Sequence, residues 1–264
     1  MRLFSKLKRL PHAHSNTQEA FFPWQGVYSS FHDVPSRGPG CDDDRWIAEY
    51  AAGVRQLRRA YSTGLDSQQG NYGEHQTLCL LAALVACNRD VLRVLDYGGG
   101  LGPAFVHLVN TVRNLGQLDY RIVDTPRMCG EGSELFVDDG RITFSPDLPD
   151  IAVDIAYVNS ALQYFPDYAA TLRKLCSLRP PYVLLARLGA GRIRTFATAQ
   201  MNVPDSVIPY WFFDESEIIA LLGAFGYRLL FRSEAAWSYD LTNFSPEYRL
   251  SGTVNLLWGR NDED

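Results

Sequence analysis

Apolar positions along this chain follow two rhythms. Val91, Leu92, Val94 and Leu95 form a compact, partly β-branched run, the signature of a buried strand. Comparable runs follow at 120–124, 141–144, 151–158, 181–187, 227–231 and 252–258. Between them the spacing becomes helical. Ala104 to Leu115 places apolar residues three and four apart, another helix starts at Pro126, and another spans Asp167 to Leu178. A further helix is capped by Asp214 and stopped by Gly226. This alternation predicts an α/β, Rossmann-like domain. The last two runs leave no room for a crossover helix, so they are expected as an antiparallel pair.

Upstream, Asp42-Asp43-Asp44 offers an N-cap and negative charge to a helix that buries Trp46, Ile47, Tyr50, Ala51, Val54, Leu57 and Tyr61. After a break at Gly64 and Ser67–Gly70, Asn71 is expected to cap a second helix, with Leu78, Leu81, Ala82 and Val85 inside. Two stretches show no period. Residues 11–41 carry four prolines and a crowd of aromatics (Phe21, Phe22, Trp24, Tyr28, Phe31), and read as an ordered loop lying on the main body, over a site or simply packed. Residues 190–209 read as irregular and lead into Tyr210-Trp211-Phe212-Phe213, dense enough in aromatics to wall a pocket. The expected division is a helical and loop extension over 1–88, packing as a lid, and a catalytic domain over 89–264.

With 264 residues, one large domain and an extension account for the chain. A net charge of −5 speaks against a surface built to coat nucleic acid. No apolar run approaches a membrane span. The opening MRLFSKLKRL is basic and amphipathic; it is either a frayed or docked helical end or a weak contact for an anionic membrane surface. Cys41, Cys79, Cys87, Cys129 and Cys176 are scattered, with no C-x-x-C pair, so neither a disulfide framework nor a metal site is expected. That usage fits a reduced, cytoplasmic compartment.

The chemistry gathers where the first strand ends. Asp96, Gly98, Gly100 and Gly102 give D-x-G-x-G-x-G, followed by Pro103 as a suitable first helical residue. A dinucleotide fingerprint would need a small residue at 103, so an NAD-dependent oxidoreductase is disfavoured. The pattern resembles the first strand–turn–helix of class I S-adenosylmethionine (SAM) methyltransferases. In that resemblance Asp96 meets the amino-acid end of the cofactor, and Asp124, at the end of the second strand, bridges two ribose hydroxyls. Two carboxylate oxygens suit two neighbouring hydroxyl donors. Ser145, ending the third strand, is a candidate contact for adenine or an ordinary turn residue. At the end of the fourth strand Asn159 offers an amide to an acceptor, and Leu162, Gln163 and Tyr164 are candidates to wall the cofactor. Near the start of the second helix stand Tyr72 and His75, the latter either a general base or a hydrogen-bonded histidine.

A wider likeness covers most of residues 26–226. Gly26–Phe31, Leu95-Asp96-Tyr97-Gly98-Gly99 with Leu101-Gly102, Ile122–Pro126, Ser160–Tyr164 and Pro209–Phe213 resemble a family of class I methyltransferases from bacterial polysaccharide and natural-product gene neighbourhoods. The resemblance implies a seven-stranded SAM fold with Asp96, Gly98, Gly100 and Asp124 holding the cofactor. Relatives tend to carry Asp-Arg-Thr-Pro after the fifth strand, whereas this chain has Ala186-Arg187-Leu188-Gly189, losing a carboxylate and a hydroxyl. The expected activity is methyl transfer to a small molecule or carbohydrate precursor, with Asn159 and Tyr164 orienting the acceptor and Tyr28 and Trp211 closing the pocket. Two rivals use the same site: cyclisation of SAM to azetidine-2-carboxylate with release of methylthioadenosine, and a non-catalytic SAM-binding module.

Overall fold

The computed structural model describes residues 21–63, 74–203, 205–235 and 237–261. In chain order these form β1 (Trp24–Tyr28), α1 (Asp44–Ser62), α2 (Gln76–Ala86), β2 (Val91–Tyr97), α3 (Pro103–Thr111) and β3 (Gln117–Val123). There follow α4 (Pro126–Leu135), β4 (Ile142–Ser145), β5 (Ile155–Asn159), α5 (Tyr168–Ser177), β6 (Tyr182–Leu188) and β7 (Ala190–Gly191). The chain continues through β8 (Phe196–Gln200), β9 (Ile208–Asp214), α6 (Glu215–Ala224), β10 (Tyr227–Ala235) and β11 (Thr253–Arg260).

Seven strands make the main sheet, in the order β4-β3-β2-β5-β6-β11-β10. Strands β2 to β6 pair in parallel, and β11 runs antiparallel to both of its neighbours. The expected antiparallel pair is therefore present, with the later strand inserted between the earlier one and β6. Strands at the centre read as unbroken apolar runs because helices cover both faces. Along β5 the alternation is visible residue by residue. Ile155 and Tyr157 enter a core with Ile47, Leu78 and Phe105 from α1, α2 and α3, while Ala156 and Val158 enter one with Leu172, Leu175 and Ile218 from α5 and α6. The helices of the extension thus share a core with the sheet.

Two of the expected loops are corrected. Residues 24–28 and 196–200 are strands, and with β9 and β7 they build a second, four-stranded sheet in the order β1-β8-β9-β7. Tyr210-Trp211-Phe212-Phe213 lies inside β9, where period-2 alternation divides its rings between two interiors. Tyr210 and Phe212 join Trp24, Phe196, Leu241 and Phe244, while Trp211 and Phe213 join Phe31 and the main body. Tyr168 of α5 meets both Trp211 and Phe213 edge-on, at 5.6 and 4.9 Å between ring centres. The second sheet is therefore a layer with apolar packing on both sides, laid against the end of β6. The helix expected from Asn71 begins at Gln76; Asn71, Tyr72 and the basic segment 1–10 lie outside the described residues. Among the described residues no helix is long and apolar enough to cross a membrane, and no cluster of three or more His, Cys, Asp or Glu could hold a metal.

Phe213→Ala removes a fully buried ring from the junction of the two sheets. It should lower stability by about 3–5 kcal/mol. A urea midpoint shifted by much less would show that the second sheet adheres loosely to the first.

Candidate active site

The parallel strands all deliver their C-terminal ends to one edge, where open α/β sheets bind ligands. There β2 passes into Gly98-Gly99-Gly100-Leu101-Gly102, and Pro103 opens α3. Two of these glycines are required by both conformation and space. Gly98 has φ +73°, and a Cβ on it would lie 2.5 Å from the Ala161 Cβ. Gly100 has φ +57°, and a Cβ on it would lie 2.6 Å from the Tyr50 hydroxyl. Left-handed backbone favours glycine in any case, and here neighbours occupy the volume as well.

Asp124, directly after β3, closes on this turn. Its Oδ2 accepts the Gly100 N–H at 2.8 Å, and its Oδ1 accepts the Thr125 N–H at 2.7 Å. Burial raises its pKa against the pull of those two amides. Ser145 lies beside it, its residue paired with Val123 across β3 and β4, and its Oγ accepts the Asp147 N–H at 3.1 Å. Asp96 sits beneath the turn, 1% exposed, behind Gly99. Its Oδ2 accepts the Tyr120 hydroxyl at 2.7 Å, whereas its Oδ1 is buried with no hydrogen-bond partner. Burial, with some repulsion from Asp124, pushes its pKa up to about 7 in spite of Tyr120. A glycine cradle, a carboxylate at the next strand end and an orphaned acid oxygen below form a set that fits a cofactor carrying hydroxyls and positive charge.

One and two strands further along the sheet, β5 and β6 end in a polar cluster. Asn159 donates through Nδ2 to Glu74 Oε1 at 3.4 Å, and Arg187 pairs with the same oxygen through Nη1. Asn159 Oδ1 and Gln163 Oε1 are buried without partners. Gln163 Nε2 meanwhile donates to the Arg187 carbonyl at 3.1 Å. Arg187 lies with its guanidinium 5.0 Å from the Trp237 ring centre. Both Ser160 and Arg187 adopt left-handed backbone, φ +51° and +50°, unusual for side chains of any size. Burial disfavours the Glu74 carboxylate, and His75, Arg187 and the Asn159 amide together outweigh it, so its pKa is lowered.

Tyr164 borders this cluster, its ring edge-on to Tyr210 at 5.1 Å, and Tyr210 shares a 3.1 Å hydroxyl contact with Tyr239. Burial pushes the Tyr210 phenol up to about 12, and those of Tyr164 and Tyr239 well above the ordinary value. All three are therefore neutral hydroxyls at physiological pH. The remaining expected residues lie farther from the edge. His75 is 4% exposed, its Nδ1 is 3.0 Å from the Tyr157 hydroxyl, and burial pushes its pKa down to about 3. It is a neutral, hydrogen-bonded core histidine. Leu162 is fully packed in the core, Trp211 is buried between Phe31 and Tyr168, and Tyr28 folds back over Gly26 at the end of β1. Sequence reasoning did not single out Tyr50, Glu74 or Arg187 for the site. Tyr50 carries the spacing of a core residue, and the departure at Ala186-Arg187-Leu188-Gly189 drew notice for what it lacks rather than for Arg187.

The Asp96 pKa has a consequence for stability. The native carboxyl keeps its proton to about pH 7, while the unfolded one loses it near pH 4, so stability falls as pH rises between those values. Asp96→Asn keeps an acceptor for Tyr120 and should be more stable than the parent at pH 8 but not at pH 4. Urea midpoints that differ equally at both pH values would show that Asp96 titrates as it does in the unfolded chain.

No protein-family model matches the chain, and no curated protein matches it by sequence. Solved structures do. The Burkholderia thailandensis 1,6-didemethyltoxoflavin-N1-methyltransferase, bound to 1,6-didemethyltoxoflavin and S-adenosylhomocysteine, is 18% identical, with a TM-score of 0.51 over 88% of this chain and 93% of that one. A SAM-dependent methyltransferase from Clostridium acetobutylicum is 11% identical, with a TM-score of 0.50 over 81% and 98%. At such identities the likeness concerns architecture. Strand order, glycine turn and these neighbours together show that the chain has the Rossmann-like fold of the class I SAM-dependent methyltransferases.

Proposed function

We propose that this chain binds SAM and transfers its methyl group to a small-molecule, carbohydrate or natural-product precursor. The observation that carries the reading is the bond from Gly100 N–H to Asp124 Oδ2. It fixes a carboxylate beside a turn into which no side chain intrudes from Gly98 or Gly100, at the ligand edge of the sheet. Asp124 is the group for the ribose hydroxyls and Ser145, its neighbour, for the adenine side. Gly98, Gly100 and Gly102 supply close backbone, and Asp96 offers its unpartnered Oδ1 from below. The bound cofactor brings an activated methyl on a sulfonium leaving group. What the protein must then add is in-line placement and exclusion of water.

Asn159 is the residue for the acceptor, since its Oδ1 awaits an N–H or O–H donor. Tyr164, a neutral hydroxyl five residues on, is the second residue assigned to orient the acceptor. The described parts of the extension border this edge: Tyr50 leans on Gly100, Glu74 reaches Asn159 and Arg187, and β1 pairs with β8. The neighbour from Burkholderia thailandensis, an N1-methyltransferase holding 1,6-didemethyltoxoflavin, supports a small-molecule acceptor.

The waiting Asn159 oxygen suits one other reaction, in which it holds the neutral amine of SAM itself while nitrogen attacks Cγ and methylthioadenosine leaves. Mass spectrometry of protein incubated with SAM alone separates the two. Methylthioadenosine with azetidine-2-carboxylate would establish cyclisation, whereas SAM bound but unconsumed is the expected result. An acceptor screen read by S-adenosylhomocysteine release then follows.

Two substitutions test the roles. Asp124→Ala should weaken SAM binding about 10-fold or more by calorimetry, the loss of a charge-assisted hydrogen-bond acceptor. Asn159→Ala should leave SAM affinity within about 2-fold and slow turnover about 100-fold. Equal loss of SAM affinity in both variants would overturn the division of labour.

A further inference from the structure

We propose that Arg187 and Asn159 form a recognition fork for an anionic group, a carboxylate by preference, on the acceptor, and that Glu74 occupies this fork when no acceptor is bound. The proposal rests on the methyltransferase reading for the word acceptor, and on the geometry of this chain for the fork.

Two donors from neighbouring strand ends, Asn159 Nδ2 and Arg187 Nη1, converge on one carboxylate oxygen, Glu74 Oε1. That is how a protein binds a ligand carboxylate, and here an internal side chain fills the role. The fork is built rather than incidental. Ser160 N–H donates to the Ala186 carbonyl at 2.9 Å, tying the two strand ends together. Arg187 N–H donates to Asn255 Oδ1 at 2.9 Å, and its carbonyl receives Gln163. The guanidinium is braced by the Trp237 ring. Left-handed backbone at both Ser160 and Arg187 shows conformational strain held at this point by its surroundings.

Burial argues in the same direction. The side chains of Arg187 and Glu74 are only 15% and 16% exposed, and a buried ion pair contributes little net stability against an apolar alternative. Position identifies the ligand. The β6 end lies two strands from the glycine turn and three from Asp124, roughly 10 and 14 Å away at ordinary strand spacing. That is the far side of the cofactor groups. Next to the fork stand two acceptors lacking donors, Asn159 Oδ1 and the fully buried Gln163 Oε1. A small acid that also bears hydroxyl or amino groups would satisfy both the cation and the orphans. Glu74 comes from the segment leading into α2, so an entering acid that displaces it acts directly on the extension.

The experiment uses the full-length chain and matched pairs of benzoate with benzamide, nicotinate with nicotinamide, and galacturonate with galacturonamide. Dissociation constants are read by ligand-observed NMR, with and without S-adenosylhomocysteine. Glu74→Gln empties the fork of its resident charge and should favour at least one acid over its amide by about 10-fold or more, exceeding the parent's preference. Glu74→Gln combined with Arg187→Met removes the cation of the fork together with its resident anion, and should show no preference. No acid preference in Glu74→Gln, or the same preference in the double variant, would overturn the proposal. So would loss of acid binding on adding S-adenosylhomocysteine, because the fork would then belong to the cofactor's own carboxylate. SAM affinity measured separately keeps the two readings apart. Acid preference without SAM binding would sink the methyltransferase reading alone, and SAM binding without acid preference would sink the fork alone.

Discussion

Left-handed backbone at Gly98 and Gly100 is the constraint on which this architecture turns. Each glycine faces a neighbour so close that any side chain would collide: Ala161 from the segment after β5, and Tyr50 from α1. The turn is thereby locked from two sides, by the sheet and by the N-terminal extension. The Gly100 amide can then meet Asp124 at the end of β3. Three distant parts of the chain agree on one small loop, and such agreement across levels is what gives a fold a single answer.

Much of this was legible in the sequence, because it is written locally. Buried parallel strands declare themselves as apolar runs, helices by their spacing, and the site by glycines where a strand stops. The antiparallel pair could be read from the missing crossover helix. What escaped was carried by pairings of long range. Thr198 of β8 bonds to the Gln25 carbonyl of β1 across 173 residues of separation, and neither strand has a pattern that betrays it. Phe196-Ala-Thr-Ala-Gln is mostly small residues, and Trp24–Tyr28 is interrupted by Gly26. Prolines at 204 and 209 make the hairpin look like a loop. Glu74 and Arg187 were hidden for the same reason: an ion pair between residue 74 and residue 187 has no local signature.

The aromatic cluster shows how a correct observation can point to the wrong geometry. A run of four rings looks like a pocket wall when it is pictured as a loop. As a strand it sends alternate rings to opposite faces. Trp211 and Phe213 cement the second sheet to α5, and Tyr210 and Phe212 gather Trp24, Phe196 and Tyr239 on the outer side.

The insertion of β11 between β6 and β10 has a consequence in time. Strands β6 and β10 have no hydrogen bonds to one another, so β10 can join the sheet only through β11. As a ribosome makes the chain, each strand of the main sheet from β3 to β6 can pair with a neighbour already present. Strand β10 then waits for β11, the last strand of the sheet to emerge. Until it arrives, the edge of β6 and the apolar face of β10 stand open, which makes that interval the one in which misassembly competes with folding.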